Sequence, residues 1–282
     1  MTAPATRVRQ PRFADDLWYR ADPAHLDTAL LGYLSADLPP FNPNNLVGLV
    51  APHAGHRFSG HVAGTAFAPL ATSHFDAVAL IGPDHRGVAP GRVSTPAVDV
   101  WRTPLGDTPV AWEFLEILRE KIQLAMLAVD DEHALEIELP FLQKTLGNFR
   151  LVPLLLGDQS RQTCEQLSTV LVEAVRQTSQ QVLFVASSDL SHYFDDATAR
   201  QLDEETLQFI LNLDPRGLLA HVATGRMHGQ PLACGAGAIA TVMLAARSLG
   251  ATKAHLLKYA TSGDVHPDRS RVVGYAAIAF TK

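Results

Sequence analysis

Three apolar runs in this chain end in polar turns that carry histidine, and that recurrence constrains the fold and the chemistry together. NLVGLVAPHAG (45–55), FDAVALIGPDHRG (75–87) and QVLFVASSDLSHY (181–193) each open with hydrophobic residues, many β-branched or leucine. Such continuous runs suit strands buried on both faces, the pattern of a parallel sheet covered by helices. RLVPLLLG (150–157) reads as a fourth strand. VVGYAAIAF (272–280) reads as the last, with HLLKYATSG (255–263) as its hairpin partner. Between them, helical spacing of apolar residues predicts helices over 109–122, 133–146, 161–178, 196–212, 214–224 and 235–249. Asp214 and Pro215 form a helix-start signal, and Gly250 a stop. LPPFNPNN (38–45) reads as a loop. Alternating strands and helices, with no repeat or low-complexity tract to divide them, predict one α/β domain over 1–282. Its central sheet should be mostly parallel or mixed, with helices on both faces.

Ligands of open α/β sheets bind beyond the carboxyl ends of the strands. The turns APHAGH (51–56), GPDHRG (82–87) and SSDLSHY (187–193) should therefore meet at one sheet edge. A lone histidine in such a turn is ordinarily a hydrogen-bonded structural residue. Three at equivalent topological positions point instead to a shared site. Neutral imidazole is the commonest metal ligand, so His53 and His85 are candidate ligands. Cys234, in PLACGAGAIA, is a candidate third donor because a helix start favours a thiolate. It reads equally well as a small buried hydrophobe. Gly235 and Gly237 beside it would permit close approach of backbone or ligand. Cys164 lies within an amphipathic helical stretch and reads as core.

Asp189 and His192 suit acid–base work, the carboxylate orienting the imidazole. They could equally bind metal or cap the next segment. DEHALEIELPFL (131–142) places Glu132 and His133 before a helix and is not the HExxH zinc pattern. His133 suits a supporting role behind the ligands. Glu132 suits either that role or a helix cap. His56 and His61 fall where a helix should begin and read as peripheral.

Composition excludes several function classes. The net charge is −6, and no basic run tracks phosphates, so nucleic acid is not an expected partner. No apolar stretch reaches the roughly 20 residues a membrane span needs. Two cysteines make no disulfide framework. The opening MTAPATRVRQPRFADDLWYR lacks the apolar core of a signal peptide, so the cytoplasm is the expected location.

The ordered blocks APHAGHRFSGHVAG, ALIGPDHRG, TPLGD, DEHALEIELPFLQ, VPLLLGDQ, ASSDLSHY, CGAG and VVGYAAIAF resemble the Memo family. That family includes the prokaryotic AmmeMemoRadiSam system protein B. The resemblance runs from about residue 7 to the C-terminus. It implies an α/β fold like that of class III (LigB-type) extradiol dioxygenases, which hold non-haem Fe(II) with two His and a Glu and use a separate catalytic His. It further implies His53 and His85 as metal ligands, Cys234 in place of the carboxylate, and Asp189 and His192 at the catalytic positions. A thiolate ligand favours Fe or Cu over Mg or Ca, with zinc also accommodated. The segments GHRFSG, GPDH and ADDLWYR depart from the common family pattern, and they should touch the cleft rim.

The expected function is metal-dependent redox chemistry on an unknown small-molecule or peptide ligand. The alternative is a non-catalytic metal-handling or interaction protein with radical-SAM and AMMECR-type partners. A metal-assisted hydrolase ranks third, since Cys is an unusual ligand for such a site.

Overall fold

The structure, a computed structural model, describes residues 5–35, 38 and 41–282. Strand β1 (Val8–Arg9) and helix α1 (Pro23–Leu34) precede the first long strand, β2 (Leu46–Ala51). Helix α2 (His56–Phe67) and strand β3 (Ala77–Pro83) follow. Next come the short strands β4 (Val93–Pro96), β5 (Val100–Thr103) and β6 (Gly106–Pro109). Helix α3 (Trp112–Lys121), strand β7 (Leu124–Leu127), helix α4 (Leu139–Leu146), strand β8 (Arg150–Leu156) and helix α5 (Arg161–Thr178) continue the chain. After strands β9 (Val182–Ser187) and β10 (His192–Phe194) stand helices α6 (Asp196–Leu211), α7 (Pro215–Met227) and α8 (Ala236–Ser248). The hairpin of β11 (Lys253–Thr261) and β12 (Val272–Thr281) closes the fold.

The main sheet is mixed and runs β10-β12-β2-β9-β3-β8-β4-β7, with β11 pairing β12 outside that path. Its centre is parallel: β2 pairs β9, β9 pairs β3, and β3 pairs β8. The flanks are antiparallel, β12 on β2 and β4 on β8. Every residue of β2, β3 and β9 is buried, which is why those strands read as unbroken apolar runs. Leu49, Leu80 and Phe184 have no exposed surface, and each such side chain stabilises the fold by about 1.5–3 kcal/mol relative to exposure. The eight α-helices of the described residues flank this sheet, so the α/β architecture expected above is present. No helix of the described residues is long and apolar enough to cross a membrane.

Helix starts follow their capping residues. Asp22, Ser160, Asp195 and Asp214 each accept a backbone N–H of the first turn. The expected helix over 133–146 is shorter than its apolar spacing suggests. Residues Glu136–Glu138 form a 3-10 turn and α4 begins only at Leu139. Pro140 is the cause: in a continuous α-helix its ring would collide with the carbonyl of Glu136, four residues back, whereas the first helical turn tolerates it. Helix α3 likewise starts at Trp112, because β6 occupies 106–109. Within the expected loop at 38–45, Pro39 and Pro40 lie outside the described residues. Asn42 caps a 3-10 turn at Pro43–Asn45 that leads into β2.

Candidate metal centre

The parallel centre of the sheet places three turns side by side. His53 stands two residues beyond β2, His85 two beyond β3 and Asp189 two beyond β9. Because β9 lies between β2 and β3, the two histidines flank Asp189.

His53 is buried and held from two sides. Its backbone N–H donates to Asp189 Oδ1 at 2.9 Å, and that of Ala54 donates to the same oxygen at 3.3 Å. Its ring Nδ1 lies 2.8 Å from Ser187 Oγ. The Ser187 hydroxyl itself lies 2.6 Å from the Ala134 carbonyl and 3.0 Å from Glu138 Oε1. With those acceptors beyond it, the network assigns the proton to Nδ1 and leaves the Nε2 lone pair free. Burial, and then the positive charge of His133 and His85 nearby, pushes the His53 pKa well below its ordinary value. The neutral, ligating form is the stable one.

His85 is anchored by a single carboxylate. Glu132 Oε2 accepts its backbone N–H at 2.6 Å, and Oε1 accepts its Nδ1–H at 3.0 Å. Oε1 also accepts the backbone N–H groups of His133 at 2.9 Å and Ala134 at 3.0 Å. Burial alone would push the Glu132 pKa up, but the His133 and His85 imidazoles beside it outweigh that and hold the carboxyl well below the usual range. For His85, burial opposes the charge. The nearby Cys234 sulfur and the Glu132 carboxylate outweigh it and push the pKa up to about 10.

Cys234 arrives from the far end of the chain, just before α8. Gly235 makes its position attainable, since a Cβ there would sit 2.5 Å from the Ser187 carbonyl oxygen. Gly237 is packed as tightly on Gln159. The close approach that both glycines were expected to allow is therefore one of backbone to protein. The Cys234 sulfur lies 3.3 Å from His53 Nε2. Ligand atoms of His53, His85 and Cys234 all fall within 4.8 Å of one another. A second group, His85, Glu132 and His133, meets the same limit. Its carboxylate, however, already accepts four N–H groups, so the His/His/Cys set offers the freer donors. His133 stacks on His85 at 4.9 Å between ring centres and packs against Trp18 at 4.4 Å. Its Nδ1 lies 3.0 Å from Glu132 Oε1 at an angle that makes no hydrogen bond.

Asp189 and His192 are placed differently from the pairing expected of neighbours in SSDLSHY. The Asp189 carboxylate is spent on the backbone of His53 and Ala54, and no hydrogen bond among the described residues joins it to His192. The turn directs the acid back under the β2 end. Burial pushes the Asp189 pKa up to about 7 in spite of those N–H donors. His192 is fixed by its own backbone N–H, which donates to the Pro231 carbonyl at 2.9 Å, and burial lowers its pKa. Both residues line the cleft. Cys164 is buried apart from the centre, with burial pushing its thiol up to about 11.

The cleft over these groups has a volume of about 1120 Å³. As expected of the divergent segments, Leu17, Trp18, Arg57 and Phe58 line it. Tyr193, also on its wall, is exposed and has φ of 69°, a left-handed conformation that costs a bulky residue energy and is found at functional sites. Ser187, which holds the His53 ring, and Glu138, which accepts from Ser187, were not among the residues expected at the site. Both lie inside quoted motifs, but only the fold shows that a β9 hydroxyl reaches the β2 turn.

Fold and site together define an α/β protein with a candidate His/His/Cys donor set in an open cleft at the carboxyl edge of its sheet. The chain belongs to the Memo family: the family model described as Memo-like protein matches residues 9–279. It is 36% identical to a MEMO1 family protein of Methanopyrus kandleri, over 97% of this chain and 99% of the relative. A MEMO1 family protein of Archaeoglobus fulgidus shows the same identity over the same shares. One of Nitrosopumilus maritimus is 33% identical over 85% of this chain and 86% of the relative.

Proposed function

We propose that His53, His85 and Cys234 hold one redox-active ion, Fe(II) or Cu, and that the protein is a metal-dependent oxidoreductase related to extradiol dioxygenases. The observation that carries this reading is the matched support of the two imidazoles. Each has its Nδ1 engaged, on Ser187 or Glu132, so each has only Nε2 to offer. For His53 that atom lies beside the Cys234 sulfur. Protein ligands that point their far nitrogen at a metal are supported in this way. Zinc fits the same donors, but the softer thiolate also suits Fe and Cu. When bound, the ion supplies Lewis acidity and electron transfer at positions the protein leaves open.

The chain's own residues do the rest. His192, half-buried and with its pKa lowered by desolvation, accepts a proton from a ligand hydroxyl in the cleft. Asp189 fixes the His53 turn. Trp18 and Tyr275 line the cleft and limit the water around a bound ligand.

The test is anaerobic purification, loading with Fe(II) or Cu, and measurement of metal content and oxygen uptake. About one ion per chain is expected, with a large loss of binding in Cys234→Ala. Full loading of that variant would remove the basis of the assignment. The affinity also carries a sign with pH. Without metal, the raised His85 pKa keeps that ring protonated at neutral pH, and an incoming ion must displace the proton. Apparent affinity should therefore rise with pH, by about tenfold per unit between roughly pH 6 and 8 for one proton released. Competition titrations across that range check the slope, and a flat profile contradicts it.

A further inference from the structure

Four arginines, Arg57, Arg86, Arg226 and Arg271, line the same cleft, and among the described residues none of them makes an ion pair with a carboxylate. They come from four separate segments: α2, the turn after β3, the end of α7 and the residue just before β12. Elsewhere the chain pairs its arginines readily, as in Arg7 with Asp99, Arg102 with Asp107 and Arg200 with Asp264. Among the described residues the cleft has two acids on its wall. Asp189 is committed to backbone N–H groups, and Asp268 accepts the Ser270 N–H and hydroxyl on one oxygen while standing near Arg271 without forming an ion pair with it. A cationic mouth has thus been assembled on a protein of net charge −6.

A single solvated surface arginine would need no explanation. The convergence of four around one concavity does, because a cleft lined by one sign of charge concentrates ligands of the other. Guanidinium groups match carboxylate and phosphate oxygens in geometry as well as charge. Two of them are already oriented by aromatic faces. Arg57 lies 4.5 Å from the centre of the Phe58 ring, and Arg271 lies 5.3 Å from that of Tyr193. Arg86 donates Nε–H to the Asp131 carbonyl at 3.3 Å and leaves the rest of its fork free.

We infer that the cleft's ligand is a small organic anion whose carboxylate or phosphate group is held by the rim arginines, its apolar body lying against Trp18, Phe58 and Tyr275. This names the ligand class of the site proposed above and rests on that cleft being the working one. The anion contact itself needs no metal.

The experiment is a ligand-observed NMR titration of the intact protein, metal-free and metal-loaded, with phenyl phosphate, benzoate and uncharged benzamide. Arg226→Gln and Arg271→Gln are the variants, chosen because Arg86 adjoins His85. At least one anion is expected to bind about tenfold or more tighter than benzamide, and each variant to weaken that anion by about tenfold. The better anion identifies the head group. Benzamide binding as well as both anions, no binding of either anion, or unchanged anion affinity in both variants would overturn the inference. Metal affinity measured in parallel keeps the two readings apart. Anion binding by a chain that takes no metal sinks the metal assignment alone, while metal uptake without anion selectivity sinks this one alone.

Discussion

Glu136→Ala should destabilise the protein by about 3–5 kcal/mol, seen as a large fall in the urea midpoint, although the residue touches no candidate ligand. Glu136 is fully buried. One of its oxygens accepts the Tyr19 hydroxyl at 2.7 Å and the Phe13 N–H at 2.9 Å, and both oxygens reach the Arg12 N–H. The carboxylate also pairs with the buried Arg9 guanidinium, which pairs in turn with Asp130. Burial opposes the Arg9 charge, but Asp130 and Glu136 outweigh it and raise the pKa. Truncation would leave the buried Arg9 cation with Asp130 as its remaining carboxylate partner and strand three N–H or O–H donors at once. Against a total stability of about 5–15 kcal/mol, that loss is severe. Glu136→Gln keeps an acceptor and should cost less. A midpoint within error of the parent for Glu136→Ala would show that the N-terminal segment is not held in this way.

The second large effect is on metal binding without loss of fold. His85→Ala should reduce metal affinity by about 100-fold or more in a competition titration, while the melting temperature of the metal-free protein changes little. The asymmetry comes from Glu132. After the ring is removed, its carboxylate still accepts the backbone N–H groups of His85, His133 and Ala134, so no buried charge is left without partners. The His85 side chain is also 31% exposed, so its removal leaves no closed cavity. His53→Ala should lose metal equally but cost more stability, because it empties a buried position and removes a partner of Ser187. Retained affinity in His85→Ala, or global unfolding of that variant, would assign His85 a structural role instead.

How much of this was legible beforehand follows from the physics of each element. Strands β2, β3, β8, β9 and β12 are buried almost throughout, and composition alone reveals such strands. Helix α5 matches its expected span of 161–178, because its polar and apolar faces separate cleanly. Strands β4 to β7 have four residues each and carry no readable period. Pro140 was a sign that the helix after His133 had to begin late, but apolar spacing ran through it. At the site, the turns after β2 and β3 were readable because strand ends fix their position. Cys234 stayed open between ligand and core, since a thiol among small residues looks the same in either role. What decides its placement is the contact of Gly235 with the end of β9, which is a tertiary fact. The same limit applies to Asp189 and His192. Adjacency in sequence suggested a pair, whereas the turn sends the acid to the backbone of another strand's end.

X-ray absorption at the metal edge, on the parent protein and on Cys234→Ser after loading with the same ion, is the most direct check of a shared ion. For the parent it should report one sulfur scatterer at about 2.3 Å together with two imidazole nitrogens. In the variant, the sulfur contribution should vanish. A parent spectrum without sulfur, or one unchanged by the substitution, would show that these three side chains do not share an ion.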